Sequence, residues 1–491
     1  MKLKVKKIDY SAGGLLVCVL NDKDAETMDI HANDRVYLHE GKKDGIAVVD
    51  INYGNVIKEG EIGLFVDVVD YLNLKTKYIN VSLAKKLDSL WYIKKKLEGE
   101  KLKKDELNEI VKDIVENRLN EAERTYFVAG CFSNGLNKKE TYHLTNAIVN
   151  HGSKLNIKSK IILDKHSTGG VAGNRATMIA VPIIAAAGYT IPKTSSRAIT
   201  SASGTSDTME VLAKVAFPIK KIENIVKKLN GCLVWGGGVD LASADDKLIK
   251  IRRPLSLDPE GLLLASIMAK KFAVGATHVL IDLPYGLGTK FANEKEAKKL
   301  KTKFVKLGKM LGMKVRVIIS DGSDPVGNGI GPALEARDVV KVLRNDEGPL
   351  DLKEKGIYLA AMMLEMVGVK KAKKKARDIL ESGKAYERFK KIVEMQEGNI
   401  PDKIKDIKIG KFKRDYYAKK TGKIHGIDNK KLAKVCRIAG APVDKGAGVY
   451  LEIKTHENVE KGQKLFTVYS NNKKRLDYAF DLCKEEKFIY Q

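Results

Sequence analysis

The spacing of apolar residues changes period several times along the chain, and each change marks a domain boundary. Within residues 1–84, the apolar or alternating runs 15–20, 35–38, 46–51 and 62–69 are separated by Gly, Asn and Asp. That strand-and-turn rhythm predicts a small β-rich, barrel-like domain. Beyond it the period lengthens: Leu107, Ile110, Val111, Ile114 and Val115 fall at i, i+3, i+4, i+7 and i+8, one stripe of an amphipathic helix. Leu83, Leu87, Leu90 and Leu97 predict another helix, stopped by Gly99. Residues 85 to about 150 are expected to be helical. A third rhythm begins at residue 160, where an apolar run to 163 leads into a polar, Gly-rich loop and then the apolar segment 177–188. Strand, loop, helix is the α/β signature. Further strands are expected at 189–192, 232–235, 278–283 and 315–319, which together predict a mostly parallel central sheet. Residues 399–410, with Pro401, read as a linker, and strands at 449–453 and 464–468 followed by a helix make a small α+β unit.

The predicted fold class is therefore α/β multidomain. A β-rich N-terminal domain spans 1–84, and a helical lobe takes 85–155 with about 240–275. An α/β lobe takes 156–239 with about 276–400, and an α+β domain 411–491. A length of 491 residues suits several cores of this size.

Composition narrows the function classes. Charged residues at 31% and hydrophobic residues at 44% describe a globular chain, and the longest apolar stretch, 178–187, is short and broken by Pro182. No secretory leader is expected, so a cytoplasmic location is predicted. The five cysteines are scattered without CxxC or Cys/His spacing, which argues against a zinc ribbon and a disulfide scaffold and predicts no metal. Lys plus Arg number 89 against 62 Asp plus Glu, a net charge of +27. The basic residues lie in many short clusters rather than one arm, the pattern of solvated faces. Glutamine occurs only at Gln396, Gln463 and Gln491 while Lys and Glu are abundant, a bias expected of a thermophile.

Two segments concentrate chemistry. Lys165-His166-Ser167-Thr168-Gly169-Gly170 at a strand end offers a cation, two hydroxyls and approachable backbone N–H groups, the makings of an anion site. Taken alone, it reads equally as a tight βα turn. It is neither a GxxxxGK[ST] loop nor a GxGxxG fingerprint. The second segment, residues 194–205, packs seven hydroxyl side chains and Arg197 into twelve positions, a density that is costly inside a fold unless a ligand uses the donors. Both follow predicted strands, so they are expected to meet at the C-terminal edge of the sheet, where open α/β sheets bind ligands.

These segments resemble the thymidine and pyrimidine nucleoside phosphorylase family. The stretch DKHSTGGV stands unchanged at 164–171, and the family's S-G-R-G-L-x-x-T-x-G-T-x-D-x-x-E signature appears with substitutions at 195–210. The likeness extends through Leu144-Thr145-Asn146-Ala147, through residues 265–271 and into 440–448, so it covers 85–491. About 84 residues precede it. Those residues, SRAITS at 196–201 and LDPEG at 257–261 look like the archaeal AMP phosphorylase branch.

That resemblance implies a pentosyltransferase. It would cleave AMP, with CMP and UMP as further candidates, by phosphorolysis to free base and ribose 1,5-bisphosphate. It implies phosphate contacts at Lys165, Ser167, Thr177, Ser195 and Thr205. The implied nucleotide contacts are Gly170, Ser196, Arg197, Ala198, Ile199, Thr200, Ser201, Thr205, Ser266 and Lys290. Asp258 would be the proton donor, and Lys270 lies in a shared motif. It also implies a dimer through the helical lobe, with residues 1–84 building larger assemblies. No cofactor is expected, because phosphate itself is the nucleophile, and the chemistry needs an anion clamp, stabilisation at C1′ and an acid for the leaving base. His166 would help by charge or by hydrogen bonding. Arg175, placed where bacterial relatives carry an acidic residue, is expected to favour a second anion. Asp258 by itself reads also as a helix cap before Pro259. The alternatives are a uridine or thymidine phosphorylase and, in a different class, an RNA-binding protein on an inactive scaffold. With aromatics at 7% and no RNP-like motif, the partners expected are small molecules rather than nucleic acid or membrane.

Overall fold

Six short strands close the N-terminal domain into a barrel: β1 (Lys2–Ile8), β2 (Val17–Asn21), β3 (Arg35–Glu40), β4 (Lys43–Asn52), β5 (Glu61–Phe65) and β6 (Tyr78–Leu83), in the order β1-β5-β2-β4-β3-β6. The structure is a computed structural model that describes residues 1–491 except 42, 199, 200, 240, 253 and 256. Alternation drives the barrel. Val36 and Leu38 of β3 and Ile79 and Val81 of β6 point inward with Leu3, Cys18, Leu20 and Leu64. The run 62–69 is not one strand, because β5 ends at Phe65 and a helix, Val66–Leu72, buries Val68 and Leu72 at i, i+4 spacing.

The helical lobe follows from its apolar stripes. Helix Lys104–Val115 buries Leu107, Ile110, Val111 and Ile114. Helices Glu121–Asn134 and Lys138–Asn150 each open on an Asn cap, Asn120 or Asn137, answered by Glu123 or Glu140 three residues on. A fully buried pair, Lys96 Nζ to Glu140 Oε1 at 3.0 Å, ties the preceding helix, Asp88–Leu97, to Lys138–Asn150. Residues Met1–His151 with Ser243–Ala265 form one compact unit, and Gly152–Ala242 with Ser266–Gln491 form a second.

In the second unit, parallel pairing joins β7 (Leu163–Ser167), β10 (His278–Tyr285) and β11 (Lys314–Asp321). β8 (Ile191–Ser195) and β9 (Gly231–Trp235) pair in parallel, and a bridge from Ile162 to Thr190 links the two groups. The apolar segment after the loop is a helix, Ala176–Ala186, buried on nearly all sides despite Pro182. β7 and β8 begin about three and two residues later than the apolar runs suggest and extend into the polar motifs, so Lys165, His166 and Ser167 are held in sheet register opposite Leu280, Ile281 and Asp282. The segment 399–410 is fastened rather than loose: Arg337 donates to the Ile407 carbonyl at 2.6 Å, and Arg344 donates to those of Pro401 and Asp402 at 2.8 and 2.7 Å. The C-terminal domain packs strands Phe412–Tyr417, Gly448–Leu451 and Lys464–Ser470 against helices Asn429–Ala439 and Lys473–Glu485 over a core of Leu432, Val449, Phe466 and Val468.

All five cysteines are free and buried. Among the described residues no helix is long and apolar enough to cross a membrane.

Candidate active site

The C-terminal ends of β7 and β8 carry the two polar segments, as expected for ligand loops of a parallel sheet. Lys165 is buried at 3% exposure, its Nζ 3.3 Å from Thr177 Oγ1 and 3.9 Å from Asp282 Oδ2. Asp282, from β10, organises this end of the sheet. It accepts from Ser167 Oγ at 3.3 Å and Ser320 Oγ at 2.7 Å, and its carbonyl accepts from Thr168 N–H at 3.1 Å. A second buried carboxylate, Asp164, takes Lys271 Nζ at 2.5 Å and lies 4.0 Å from Lys193 Nζ. Three buried lysines, Lys165, Lys193 and Lys271, thus face two carboxylates, Asp164 and Asp282, so the cluster carries a surplus positive charge whenever all three are protonated.

That imbalance moves proton affinities. Burial, only partly opposed by Asp282, pushes Lys165 down to about 8. Burial, with the charge of Lys271 adding to it, pushes Lys193 to about 7. His166 is held well below the usual imidazole value by desolvation and then by Lys271, Lys193, Lys165 and Lys270. These surroundings favour the neutral imidazole, which can donate or accept a hydrogen bond.

The KHSTGG loop and the loop that carries Lys290 touch. Gly170 sits at φ +94°, and a Cβ there would lie 2.6 Å from Thr289 Cα and 3.0 Å from the Lys290 nitrogen, so only glycine lets the Lys290 loop approach the KHSTGG loop. Ser266 and Lys270 share one face of the helix Glu260–Ala273 at i, i+4 spacing. Ser195 Oγ pairs with Ser206 Oγ at 2.7 Å, and Ser201 donates to the Ser203 carbonyl at 2.9 Å. Much of the hydroxyl density is therefore satisfied within the protein. Thr205 opens the helix Thr205–Met209.

Two arginines of these segments pair with carboxylates. Arg197 makes a bidentate pair with Glu210, 2.6 Å at each nitrogen, and lies over the Trp235 ring. Lys445 reaches the same Glu210 at 2.8 Å. Asp207 accepts from the N–H groups of Ala198 and Gly204 at 2.7 and 2.8 Å, so this network ties Arg197 and Ala198 to the start of the helix Thr205–Met209. Ser196 is exposed, and Ile199 and Thr200 lie outside the described residues. Arg175 is buried, with Nε 2.6 Å from Glu335 Oε2 and NH2 2.5 Å from the Ser203 carbonyl. Its charge is answered by Glu335.

Asp258 belongs to the first unit, two residues before the helix that starts at Glu260. Its Oδ1 lies 3.7 Å from NH1 of the buried Arg252, which also faces Asp245 at 3.5 Å.

Residues 159–386 match the family described as "Glycosyl transferase family, a/b domain", residues 91–152 its helical bundle domain, and residues 423–489 the pyrimidine nucleoside phosphorylase C-terminal domain. The AMP phosphorylase of Pyrococcus furiosus is 45% identical over 490 residues, covering 99% of this chain and 96% of that protein. The chain belongs to the AMP phosphorylase family. The family's protein from Methanococcoides burtonii is 44% identical over 489 residues, with 99% and 96% coverage. In fold alone, the chain also resembles the anthranilate phosphoribosyltransferase of Thermus thermophilus, with a TM-score of 0.54 and 18% identity over 62% of this chain and 99% of that one. The family places the enzyme among glycosyltransferases, and its shared architecture of helical bundle, α/β and C-terminal domains agrees with the fold expected from the sequence.

The Lys165 environment yields a pH prediction. A bound dianion restores the proton to Lys165, so phosphate binding should take up a proton increasingly as pH rises through 8. Apparent affinity should fall over the same range. Calorimetric titration of phosphate in buffers of different ionisation heat measures that uptake. Lys165→Met should reduce it, leaving the share of Lys193, and weaken binding by about 1.5–3 kcal/mol, whereas wild-type binding by the variant would remove Lys165 from the anion site.

Proposed function

We propose that the protein is an AMP phosphorylase, with CMP and UMP as further candidate substrates. An oxygen of inorganic phosphate attacks C1′, the C1′–N bond breaks, and the base leaves with a proton, giving ribose 1,5-bisphosphate. The observation that carries this reading is the buried lysine-rich cluster behind the KHSTGG loop, Lys165, Lys193 and Lys271 against Asp164 and Asp282, in a chain alike to AMP phosphorylases over its full length. Lys165, Ser167, Thr177, Ser195 and Thr205 hold the attacking phosphate. Gly170, the 196–201 turn, Ser266, Lys270 and Lys290 hold the nucleotide, and Asp258 supplies the proton. An anion clamp of this kind acts by placing the nucleophile and by stabilising charge that develops as the bond breaks.

The enzyme acts on small molecules in the cytoplasm as a homo-oligomer, a reading supported by the exposed Trp91, Tyr126 and Phe132 on the helical lobe. Incubation with AMP, CMP, UMP, adenosine, uridine and thymidine, each with phosphate, should release base from the 5′-monophosphates alone. Release from uridine or thymidine at comparable rates would instead make it a nucleoside phosphorylase, the activity that the C-terminal family match keeps in view.

A further inference from the structure

We infer that Asn429 is a positioning residue through which the C-terminal domain fixes the spacing between the KHSTGG loop and the Lys290 loop. What those loops bind rests on the phosphorylase reading. Asn429 opens the helix Asn429–Ala439 and is 1% exposed. Capping of that helix falls to Asp428, which accepts from the N–H groups of Lys430 and Lys431 at 2.9 and 3.0 Å. The Asn429 amide is therefore turned to distant chain. Its Oδ1 accepts from Ala172 N–H at 2.8 Å, immediately after the stretch 164–171. Its Nδ2 donates to the carbonyls of Gly322 at 2.9 Å, Ser323 at 3.2 Å and Leu287 at 3.3 Å.

One planar group thus bonds to three loops: the anion loop after β7, the loop after β10 that carries Lys290, and the loop after β11. A carboxamide alone among neutral, non-aromatic side chains provides both a carbonyl acceptor and two N–H donors in this geometry. The surrounding backbone leaves no slack. Gly288 has φ +80°, and a Cβ there would meet the Lys430 nitrogen at 2.9 Å, while Gly170 already rests on Thr289. A shift of Asn429 consequently moves Gly170 and Lys290 relative to Lys165. None of its contacts is to a reacting group, so its effect is on placement.

The test compares Asn429→Ala and Asn429→Asp with Leu476→Ala, a core truncation in the same domain at a residue 3% exposed and far from these loops in sequence. Asn429→Asp keeps the acceptor for Ala172 but turns a carboxylate toward three carbonyls. Loss of two or more buried hydrogen bonds should raise KM for both phosphate and AMP about tenfold or more, with a smaller fall in kcat, measured well below each Tm. Leu476→Ala should lower Tm with KM unchanged. If the Asn429 variants lower Tm like Leu476→Ala and keep wild-type KM values, Asn429 is merely structural and the inference fails. If Asn429→Ala does not fold, Asn429→Asp and Asn429→Ser carry the same comparison. Calorimetric phosphate affinity separates the two readings. A wild-type protein that binds phosphate without cleaving any nucleotide sinks the proposed function, while a tenfold weaker phosphate affinity in the variants would still uphold Asn429.

Discussion

Asp258→Asn should bind AMP nearly as wild type does and turn it over about 10² to 10⁴ times more slowly. The substitution keeps the shape and most hydrogen bonding of the side chain but removes its capacity to deliver a proton to the leaving base. The surroundings bear on this. NH1 of the buried Arg252 stands 3.7 Å from Oδ1, and an amide at this position keeps an oxygen that can face the same guanidinium. The competing reading makes Asp258 a helix cap. The helix starts at Glu260, with Pro259 directly before it, and a cap role predicts near-normal turnover, because Asn caps helices about as well as Asp. AMP affinity and kcat measured on the same folded variant decide the matter. Full turnover eliminates the acid role, whereas lost affinity with normal saturating turnover reduces Asp258 to holding substrate.

Glu335→Ala should cost about 3–5 kcal/mol of stability, seen as a fall in the denaturant midpoint. Glu335 is 1% exposed. It accepts from Arg175 Nε at 2.6 Å, Thr208 Oγ1 at 2.6 Å and Gly331 N–H at 3.2 Å. Removing it leaves a buried guanidinium without its counter-charge and the Gly331 N–H without its partner, while Thr208 Oγ1 retains the Gly204 carbonyl and Ser203 Oγ. If Arg175 instead serves an anionic ligand, the variant should keep its stability and bind phosphate or AMP more tightly, because a competing carboxylate would be gone.

The parts of this fold that could be read from the sequence are those whose periodicity is local. Helix Lys104–Val115 is legible because Leu107, Ile110, Val111 and Ile114 supply both its period and its buried face. Strands 232–235, 278–283 and 315–319 are predominantly apolar because much of each is buried in the sheet, as at Leu233, Val234, Leu280, Ile281 and Val317. β1 escaped notice because KLKVKKI holds four lysines on a strand whose outward side is solvated, and the 62–69 run merges a strand and a helix that are both apolar. In the site, Lys165 and Ser167 stand in a contiguous motif, whereas the groups that set their charge come from far away. Asp282 is 115 residues from Ser167 and Glu335 is 160 from Arg175, pairings that only the tertiary fold creates. A signal for Asp282 did exist, since it is the single carboxylate inside an apolar strand, HVLIDLPY, and buried charges of that kind need partners.

The five buried thiols have a use outside chemistry. Cys18 lies in the barrel, Cys131 in the helical lobe, Cys232 in β9, and Cys436 and Cys483 in the C-terminal domain, each at most 2% exposed, and burial pushes Cys131, Cys232 and Cys483 up to about 12. None can react until its own surroundings open. The native chain therefore carries an intrinsic reporter in every domain, and the order in which a thiol reagent labels these five positions, followed by mass spectrometry, ranks the domains by how often each one breathes.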